Sequence, residues 1–251
     1  AAQALEEGWT HYGPSAGLPE FRKTIADIWS AERKITCDAD NVVVTPGGKP
    51  IMFFAMLALL EEGDEVLYPN PGFPIYESVA NFINARAVPL HLKESNEFDL
   101  DLKELESKIT SRTKLLVLNS PHNPTGAVLK PETVEGIAAL ARKHSFWILS
   151  DEIYARIQYE GRHLSIASLP GMAERTIILD GFSKTYSMTG WRLGFGIMPK
   201  PLAVHVIRLM TNSNSCTASF IQRAGQAALT GPQGEMHAMV AEFKVRRDTI
   251  V

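Results

Sequence analysis

The sequence is poor in cysteine, with only Cys37 and Cys216 among its 251 residues. The two are far apart and form no Cys-x-x-Cys pair, so neither a disulfide framework nor a metal site is indicated. A reducing compartment is expected to suit such a chain, and we predict a cytoplasmic location.

Blocks of charge and long apolar runs are also missing. The 25 basic and 28 acidic residues are dispersed along the chain, which argues against a nucleic-acid partner. The longest apolar run, from Ile51 to Leu60, falls short of the roughly 20 residues needed to span a bilayer, so no membrane partner is predicted. Small molecules are the expected partners.

What the chain does contain is a regular alternation of strand and helix patterns. Short buried-type runs predict strands at Asn41–Thr45, Glu65–Tyr68, Ala87–Leu90, Lys114–Leu118, Phe146–Leu149 and Thr176–Leu179. Helical patterns lie among them at Ile51–Leu60, Tyr76–Phe82, Asp101–Ile109, Pro131–His144 and Pro201–Met210. This order predicts a three-layer α/β fold with a mostly parallel sheet and helices on both faces.

The alternation implies one large domain, which we place at residues 1–230. Residues 231–251 are predicted to begin a helix leading out of that domain towards a further one. The chain opens without methionine and stops inside a charged helical pattern, so both ends look cut.

Polar residues follow several of the predicted strands. Gly47-Gly48-Lys49, Asn123, Asp151 and Ser183-Lys184 each come just after one. Because ligands of such sheets sit beyond the carboxyl ends of the strands, these residues are expected to face one crevice. Neither a Walker lysine-serine pair nor a Gly-x-Gly-x-x-Gly motif is present, which excludes the usual nucleotide sites.

The segment from Gly181 to Gly194 brings a lysine, a hydroxyl and an arginine together, groups that can form an imine and hold a phosphate. With Asn119-Ser120-Pro121-His122-Asn123-Pro124-Thr125-Gly126 and Asp151-Glu152-Ile153-Tyr154, this segment resembles the class I family of fold-type I pyridoxal-phosphate enzymes, typified by aspartate aminotransferase. The resemblance runs from about Trp9 to about Val251 and implies the large domain of such an enzyme.

The resemblance assigns catalytic roles by position. Lys184 matches the lysine that holds pyridoxal 5'-phosphate as a Schiff base and moves protons. Asp151 matches the carboxylate that keeps the ring nitrogen protonated, while Tyr154 and Asn123 match the donors to the phenolic oxygen. Taken alone, each has an ordinary explanation: a solvated lysine, a capping aspartate, a packed tyrosine and an Asn-Pro turn.

Further cofactor contacts are implied in the same way. Gly48 and Lys49 match the backbone amides at a helix start that bind the phosphate, with Ser183 and Arg192 as its hydroxyl and guanidinium donors. Phe73 matches the aromatic residue that stacks on the ring, although a core phenylalanine would show the same pattern.

Two positions bear on assembly and substrate. Tyr12 matches a tyrosine that reaches the phosphate bound by the neighbouring subunit, so a homodimer is implied. Lys49 also resembles a lysine that faces the distal carboxylate of dicarboxylic substrates, and Asn123 is placed beside the substrate as well. A solvent-exposed first-turn lysine explains Lys49 equally well.

The resemblance implies an aminotransferase that moves an amino group between an L-amino acid, aspartate-like by preference, and a 2-oxo acid by a ping-pong Schiff-base route. A carbon-sulfur lyase and a non-catalytic cofactor-binding sensor module remain open. Pro50 and His122 depart from the usual residues, so aromatic or neutral substrates are not excluded. The family's carboxylate-binding arginine lies in a C-terminal small domain, and Arg246 and Arg247 come too early to match it. The chain therefore resembles a fragment that lacks that domain and an N-terminal segment.

Overall fold

A computed structural model describes all residues from 1 to 251. Its centre is a single seven-stranded sheet in the order β1-β7-β6-β5-β4-β2-β3. The strands are β1 (Val42–Thr45), β2 (Glu65–Asn70), β3 (Arg86–His91), β4 (Thr113–Asn119), β5 (Trp147–Asp151), β6 (Thr176–Gly181) and β7 (Gly194–Ile197). Only β7 runs antiparallel to its neighbours, so the sheet is mostly parallel, as predicted.

Nine α-helices surround the sheet. They are α1 (Ala2–Glu6), α2 (Pro19–Arg33), α3 (Lys49–Leu59), α4 (Ile75–Phe82), α5 (Leu102–Lys108), α6 (Pro131–His144), α7 (Lys200–Ser213), α8 (Ser219–Thr230) and α9 (Gly234–Ile250). None of these helices has the length and apolarity needed to cross a membrane.

Side-chain alternation along the strands divides the core between the two faces of the sheet. Val43 of β1 packs on one face with α3, α4 and α7. Its neighbours Val42 and Val44 pack on the other face with α2 and α8, and Ile148 of β5 packs there with α6. The period of two along each strand therefore produces three layers, α/β/α.

Helix α2 and strand β7 are among the elements that were not predicted. Helix α2 buries Phe21, Ile25 and Trp29 at helical spacing against the sheet. Strand β7, Gly-Phe-Gly-Ile, has two glycines and little of the β-branched character that marks a strand. A Cβ on Gly194 would lie 2.6 Å from the carbonyl carbon of Gly47, so close packing beside β1 explains the glycine.

The carboxyl ends of the parallel strands meet at one edge of the sheet. Asp151 ends β5 opposite Asn119, the last residue of β4. Strand β6 ends at Gly181, three residues before Lys184, and β1 leads into the turn at Gly47. This edge therefore gathers the side chains that the sequence analysis singled out.

Candidate active site

A pocket of about 210 Å³ opens at the carboxyl edge of the sheet. It is lined by Gly48, Lys49, Met52, Phe73, Tyr76, Asn119, Asn123, Asp151, Ile153, Tyr154, Leu179, Ser183, Lys184, Thr189 and Arg192. Every predicted site residue except Tyr12 is in this set. The crevice predicted from the strand ends therefore exists.

Lys184 lies in the turn that follows β6 and is exposed to the pocket. Its Nζ is 5.7 Å from the centre of the Tyr154 ring, so the amine and the phenol share one wall. No carboxylate forms an ion pair with Lys184, which leaves the amine free to react.

Asp151 is buried at the base of the pocket, with 4% of its surface exposed. Its Oδ2 accepts a hydrogen bond from the Tyr76 hydroxyl at 3.0 Å, and its Oδ1 accepts one from the Ile153 backbone N–H at 3.2 Å. No basic side chain pairs with it. Burial, followed by the nearby Asp180 and Glu152, raises the pKa of Asp151 to about 7 despite the two hydrogen bonds.

Glu152, the next residue, points into the core and is fully partnered. Arg33 Nε donates to its Oε2 at 2.7 Å, and His163 Nε2 lies 3.1 Å from the same oxygen. The hydroxyls of Ser150 and Ser165 donate to Oε1. Burial opposes ionisation, but His163, Arg33 and these hydrogen bonds together lower the pKa of Glu152 to about 2.

An anion cradle lies at the other side of the pocket. Helix α3 begins at Lys49, directly after Gly47 and Gly48, and no side chain caps its N-terminus. Gly47 has φ +87°, and a Cβ there would collide with the guanidinium of Arg192. Arg192 is held by a hydrogen bond from its Nη1 to the carbonyl of Thr189 at 3.0 Å. The helix end, this guanidinium and Ser183 converge on a space suited to a phosphate.

Asn119, for which no role was predicted, joins the end of β5 to the loop that holds Asn123. Its Nδ2 donates to the backbone carbonyl of Asp151 at 3.1 Å, and its Oδ1 accepts from the backbone N–H of Asn123 at 2.7 Å. One buried side chain therefore sets the position of Asn123 relative to Asp151. The sequence signal for it was its place directly after the predicted buried strand Lys114–Leu118.

Phe73 and Lys49 lie side by side in the lining of the pocket. Lys49 Nζ lies 5.2 Å from the centre of the Phe73 ring, and that ring meets Tyr76 edge-on at 6.1 Å. The arrangement places a cation beside an aromatic face at the pocket wall.

Several other polar residues lie away from the pocket. Tyr12 is 90% exposed, and its assignment to a neighbouring subunit stays a prediction. Arg246 pairs with Glu242 at 2.9 Å, and Arg247 pairs with Glu160 at 2.8 Å. His122 faces a separate small apolar cavity, where burial lowers its pKa to about 4.

A lysine, a buried carboxylate and an anion cradle at the carboxyl edge of a three-layer α/β sheet define a cofactor-dependent enzyme fold of the kind that the sequence resembles. The whole chain, residues 1–251, matches the family described as aminotransferase class I and II. The protein belongs to this family, whose class I enzymes use pyridoxal 5'-phosphate.

Among its relatives is an aspartate aminotransferase of Musicola paradisiaca, 40% identical over 99% of this chain and 62% of the relative. An arginine–pyruvate transaminase of Pseudomonas aeruginosa is 38% identical over 100% of this chain and 64% of the relative. The chain thus spans less than two-thirds of the length of these relatives.

Solved structures share the same fold. An aromatic aminotransferase from Pyrococcus horikoshii OT3 superposes with a TM-score of 0.97 at 38% identity, over 99% of this chain and 68% of that one. Thermus thermophilus aspartate aminotransferase with maleate gives 0.94 at 35% identity, over 98% and 65%. The predicted fold class is therefore confirmed.

The residues that line the pocket are chemically suited to bind the family's cofactor. Asp151 is a buried carboxylate without a cation, which is the partner that a protonated pyridine nitrogen requires. The uncapped helix start and Arg192 offer donors to a phosphate, and Lys184 offers a free amine to an aldehyde.

Proposed function

We propose that this chain is the cofactor-binding part of an aminotransferase that moves an amino group between an L-amino acid and a 2-oxo acid in two half-reactions. The observation that carries the proposal is the pocket that holds Lys184 and the unpaired Asp151 with an anion cradle. The names of the relatives, which include aspartate and arginine–pyruvate transaminases, support transamination over carbon-sulfur lysis.

The residues that would hold pyridoxal 5'-phosphate are those predicted from the sequence. The backbone amides at Gly48 and Lys49, with Ser183 and Arg192, would bind the phosphate, and Phe73 would cover the ring. When bound, the cofactor supplies an aldehyde that condenses with amines and a ring that accepts electron density from the substrate carbon.

The protein's own groups then control protons. The Asp151 carboxylate would keep a proton on the ring nitrogen of the bound cofactor, because a buried anion favours a neighbouring cation. The Lys184 amine removes and returns a proton at the substrate carbon, as a general base and then a general acid. Tyr154 and the Asn123 amide would donate hydrogen bonds to the phenolic oxygen of the bound cofactor. Apolar lining residues such as Met52 and Leu179 limit the access of water.

The preferred substrate is proposed to be aspartate-like. The pocket is lined by three cations, of which Lys184 is assigned to the reacting atoms and Arg192 is held by the Thr189 carbonyl. We therefore assign Lys49 to a second carboxylate of the substrate. An aromatic substrate is the second candidate, since aromatic aminotransferases are among the similar proteins.

The active form is proposed to be a homodimer in the cytoplasm. Tyr12 is turned outward and 90% exposed, as expected of a residue that serves a neighbouring subunit. Cys37 and Cys216 are free thiols, which supports a reducing compartment.

The function is tested by the visible absorption of the protein mixed with pyridoxal 5'-phosphate, recorded before and after the addition of L-aspartate. We expect a band that forms on mixing, bleaches with L-aspartate and returns with 2-oxoglutarate. Release of ammonia and pyruvate from added L-cystathionine, without need of a 2-oxo acid, would instead establish a carbon-sulfur lyase. A band that ignores all amino acids would indicate a binding module.

Substrate preference is tested with Lys49→Met. This variant should lose the response to L-aspartate while keeping that to L-phenylalanine, because only L-aspartate carries a second carboxylate. Lys103→Met in α5, which alters a lysine outside the pocket, is the matched control and should respond as the parent does.

A further inference from the structure

Tyr76 has no place in the proposed function so far, although it lines the pocket. It lies in the first turn of α4, and none of its surface is exposed. Its hydroxyl is the only side-chain donor to Asp151, at 3.0 Å from Oδ2. The Ile153 backbone N–H occupies the other carboxylate oxygen at 3.2 Å. Each oxygen of Asp151 therefore has one fixed donor, and together they prevent rotation of the carboxylate.

The charges around Asp151 make the hydrogen bond that it accepts from Tyr76 important. Glu152, directly after β5, and Asp180 on β6 both raise the pKa of Asp151. Arg33 on α2 pairs with Glu152 and Asp180 rather than with Asp151. Lys184 and Tyr154 face it across the pocket without an ion pair or hydrogen bond to it. Tyr76 is thus the only side chain whose hydrogen bond stabilises the ionised form of Asp151.

The tyrosine itself remains a donor throughout the working pH range. Burial, followed by Asp151 and Tyr154, raises the pKa of the Tyr76 hydroxyl well above its ordinary value. The phenol therefore stays protonated, and the direction of its hydrogen bond towards Asp151 is constant.

We propose that Tyr76 is a positioning residue for Asp151, whose hydroxyl keeps that carboxylate turned towards the pocket and ionised opposite the cofactor's ring nitrogen. The inference rests on the proposed function. A carboxylate that accepts a hydrogen bond is a weaker base, so the proton shared between Asp151 and the ring stays on the ring side. Removal of the hydroxyl makes Asp151 more basic and draws that proton towards the protein.

The test uses Tyr76→Phe, which keeps the buried ring and deletes only the hydroxyl. Tyr68→Phe is the matched control, since Tyr68 packs in the same apolar cluster but does not bond to Asp151. Two signals are followed across pH. The first is the carbon-13 resonance of the Asp151 carboxyl in protein without cofactor, assigned with Asp151→Asn. The second is the nitrogen-15 shift of ring-labelled pyridoxal 5'-phosphate bound to each protein.

In Tyr76→Phe we expect the pH of half-protonation of Asp151 to rise by about one pH unit or more, a tenfold change in proton affinity. The ring nitrogen should lose proton occupancy, and kcat should fall with little change in KM. Tyr68→Phe should match the parent in each signal.

The inference is overturned if Asp151 titrates alike in Tyr76→Phe and the parent, or if both variants shift it equally through a loss of packing. Should the parent fail to bind the cofactor, the proposed function fails. The carbon-13 titration still decides whether Tyr76 controls Asp151.

Discussion

Asp151 and Glu152 are adjacent carboxylates, both buried, yet the fold treats them in opposite ways. Glu152 faces the core, where Arg33, His163 and two serine hydroxyls hold its pKa near 2. Asp151 faces the pocket, where no cation meets it and its pKa rises to about 7. The difference separates a carboxylate whose charge the protein neutralises from one that is left for a ligand to neutralise.

The residues around Asp151 and Glu152 show the same difference between partnered groups on the core side and unpartnered groups on the pocket side. On the core side, Asp180 accepts hydrogen bonds from Trp29 and the Gly181 backbone and pairs with Arg33. On the pocket side, Lys184 carries no ion pair and the start of α3 carries no side-chain cap. The core side is therefore expected to determine stability and the pocket side to determine chemistry.

The largest effect is expected from Lys184→Ala. Turnover should fall by about 10³-fold or more, since both the attachment of the cofactor and the proton transfer depend on this amine. Stability should change little, because the side chain is exposed. Borohydride reduction and peptide mapping check the claim: the parent should be labelled at Lys184 and the variant nowhere. Undiminished turnover in the variant would refute the assignment.

Paired substitutions of the two carboxylates come next. Asp151→Asn should lower kcat by about 10²- to 10³-fold through loss of electrostatic stabilisation, without loss of folding stability. Glu152→Gln should destabilise the fold by about 3 kcal/mol, because the buried Arg33 loses its shortest ion pair and keeps only the longer ones to Asp180 and Glu32. Urea unfolding and steady-state kinetics on both proteins separate the two effects. Glu160→Gln, at an exposed pair with Arg247, is the control and should leave both quantities unchanged.

The pH dependence of stability should also differ between the two sites. The folded pKa of Asp151, about 7, exceeds its unfolded value of about 3.9. Protein without cofactor should therefore lose stability relative to Asp151→Asn as the pH rises from about 4 to 7, by on the order of 4 kcal/mol, and no more above that. Glu152 has a depressed pKa, so its contribution is present above about pH 4.5 and is lost as the pH falls towards 2. Denaturant titrations at a series of pH values check this. If the contributions of Asp151 and Glu152 to the free energy of unfolding changed with pH in the same direction, the prediction would be wrong.

The smallest effect is expected at Asn119. Asn119→Ala removes both hydrogen bonds that join Asp151 to the Asn123 loop, and cofactor affinity should fall by about tenfold. Asn41→Ala, which loses a comparable bond to the Met198 carbonyl away from the pocket, should lose stability but not affinity. Equal affinities in a cofactor titration of the two variants would show that Asn119 has no positioning role.

The sequence was sufficient to place the chemistry at one edge of the sheet. Gly48, Asn123, Asp151 and Lys184 each follow a run of apolar residues, and parallel strands bring such positions together. Strand β7 escaped prediction because its glycines are required by close contacts with the turn at Gly47 and with Ile51 of α3, a long-range reason that leaves no local pattern.

The partners of the two carboxylates were equally invisible in the sequence. Arg33 lies 119 positions from Glu152, and Tyr76 lies 75 positions from Asp151. Nothing in the pattern of α2 or α4 indicates that an arginine or a phenol on it will reach β5. The opposite pKa shifts of these neighbouring carboxylates are therefore a property of the packed fold, since the adjacent letters Asp-Glu contain no sign of them.

The most direct test of this contrast is a carbon-13 titration of the Asp151 and Glu152 carboxyls, without and with pyridoxal 5'-phosphate. We predict that Asp151 titrates near pH 7 in the free protein and well below its ordinary range once the cofactor is bound, while Glu152 stays ionised down to about pH 2 in both. An Asp151 that titrates near pH 4 without the cofactor, or that does not respond to it, would contradict the account.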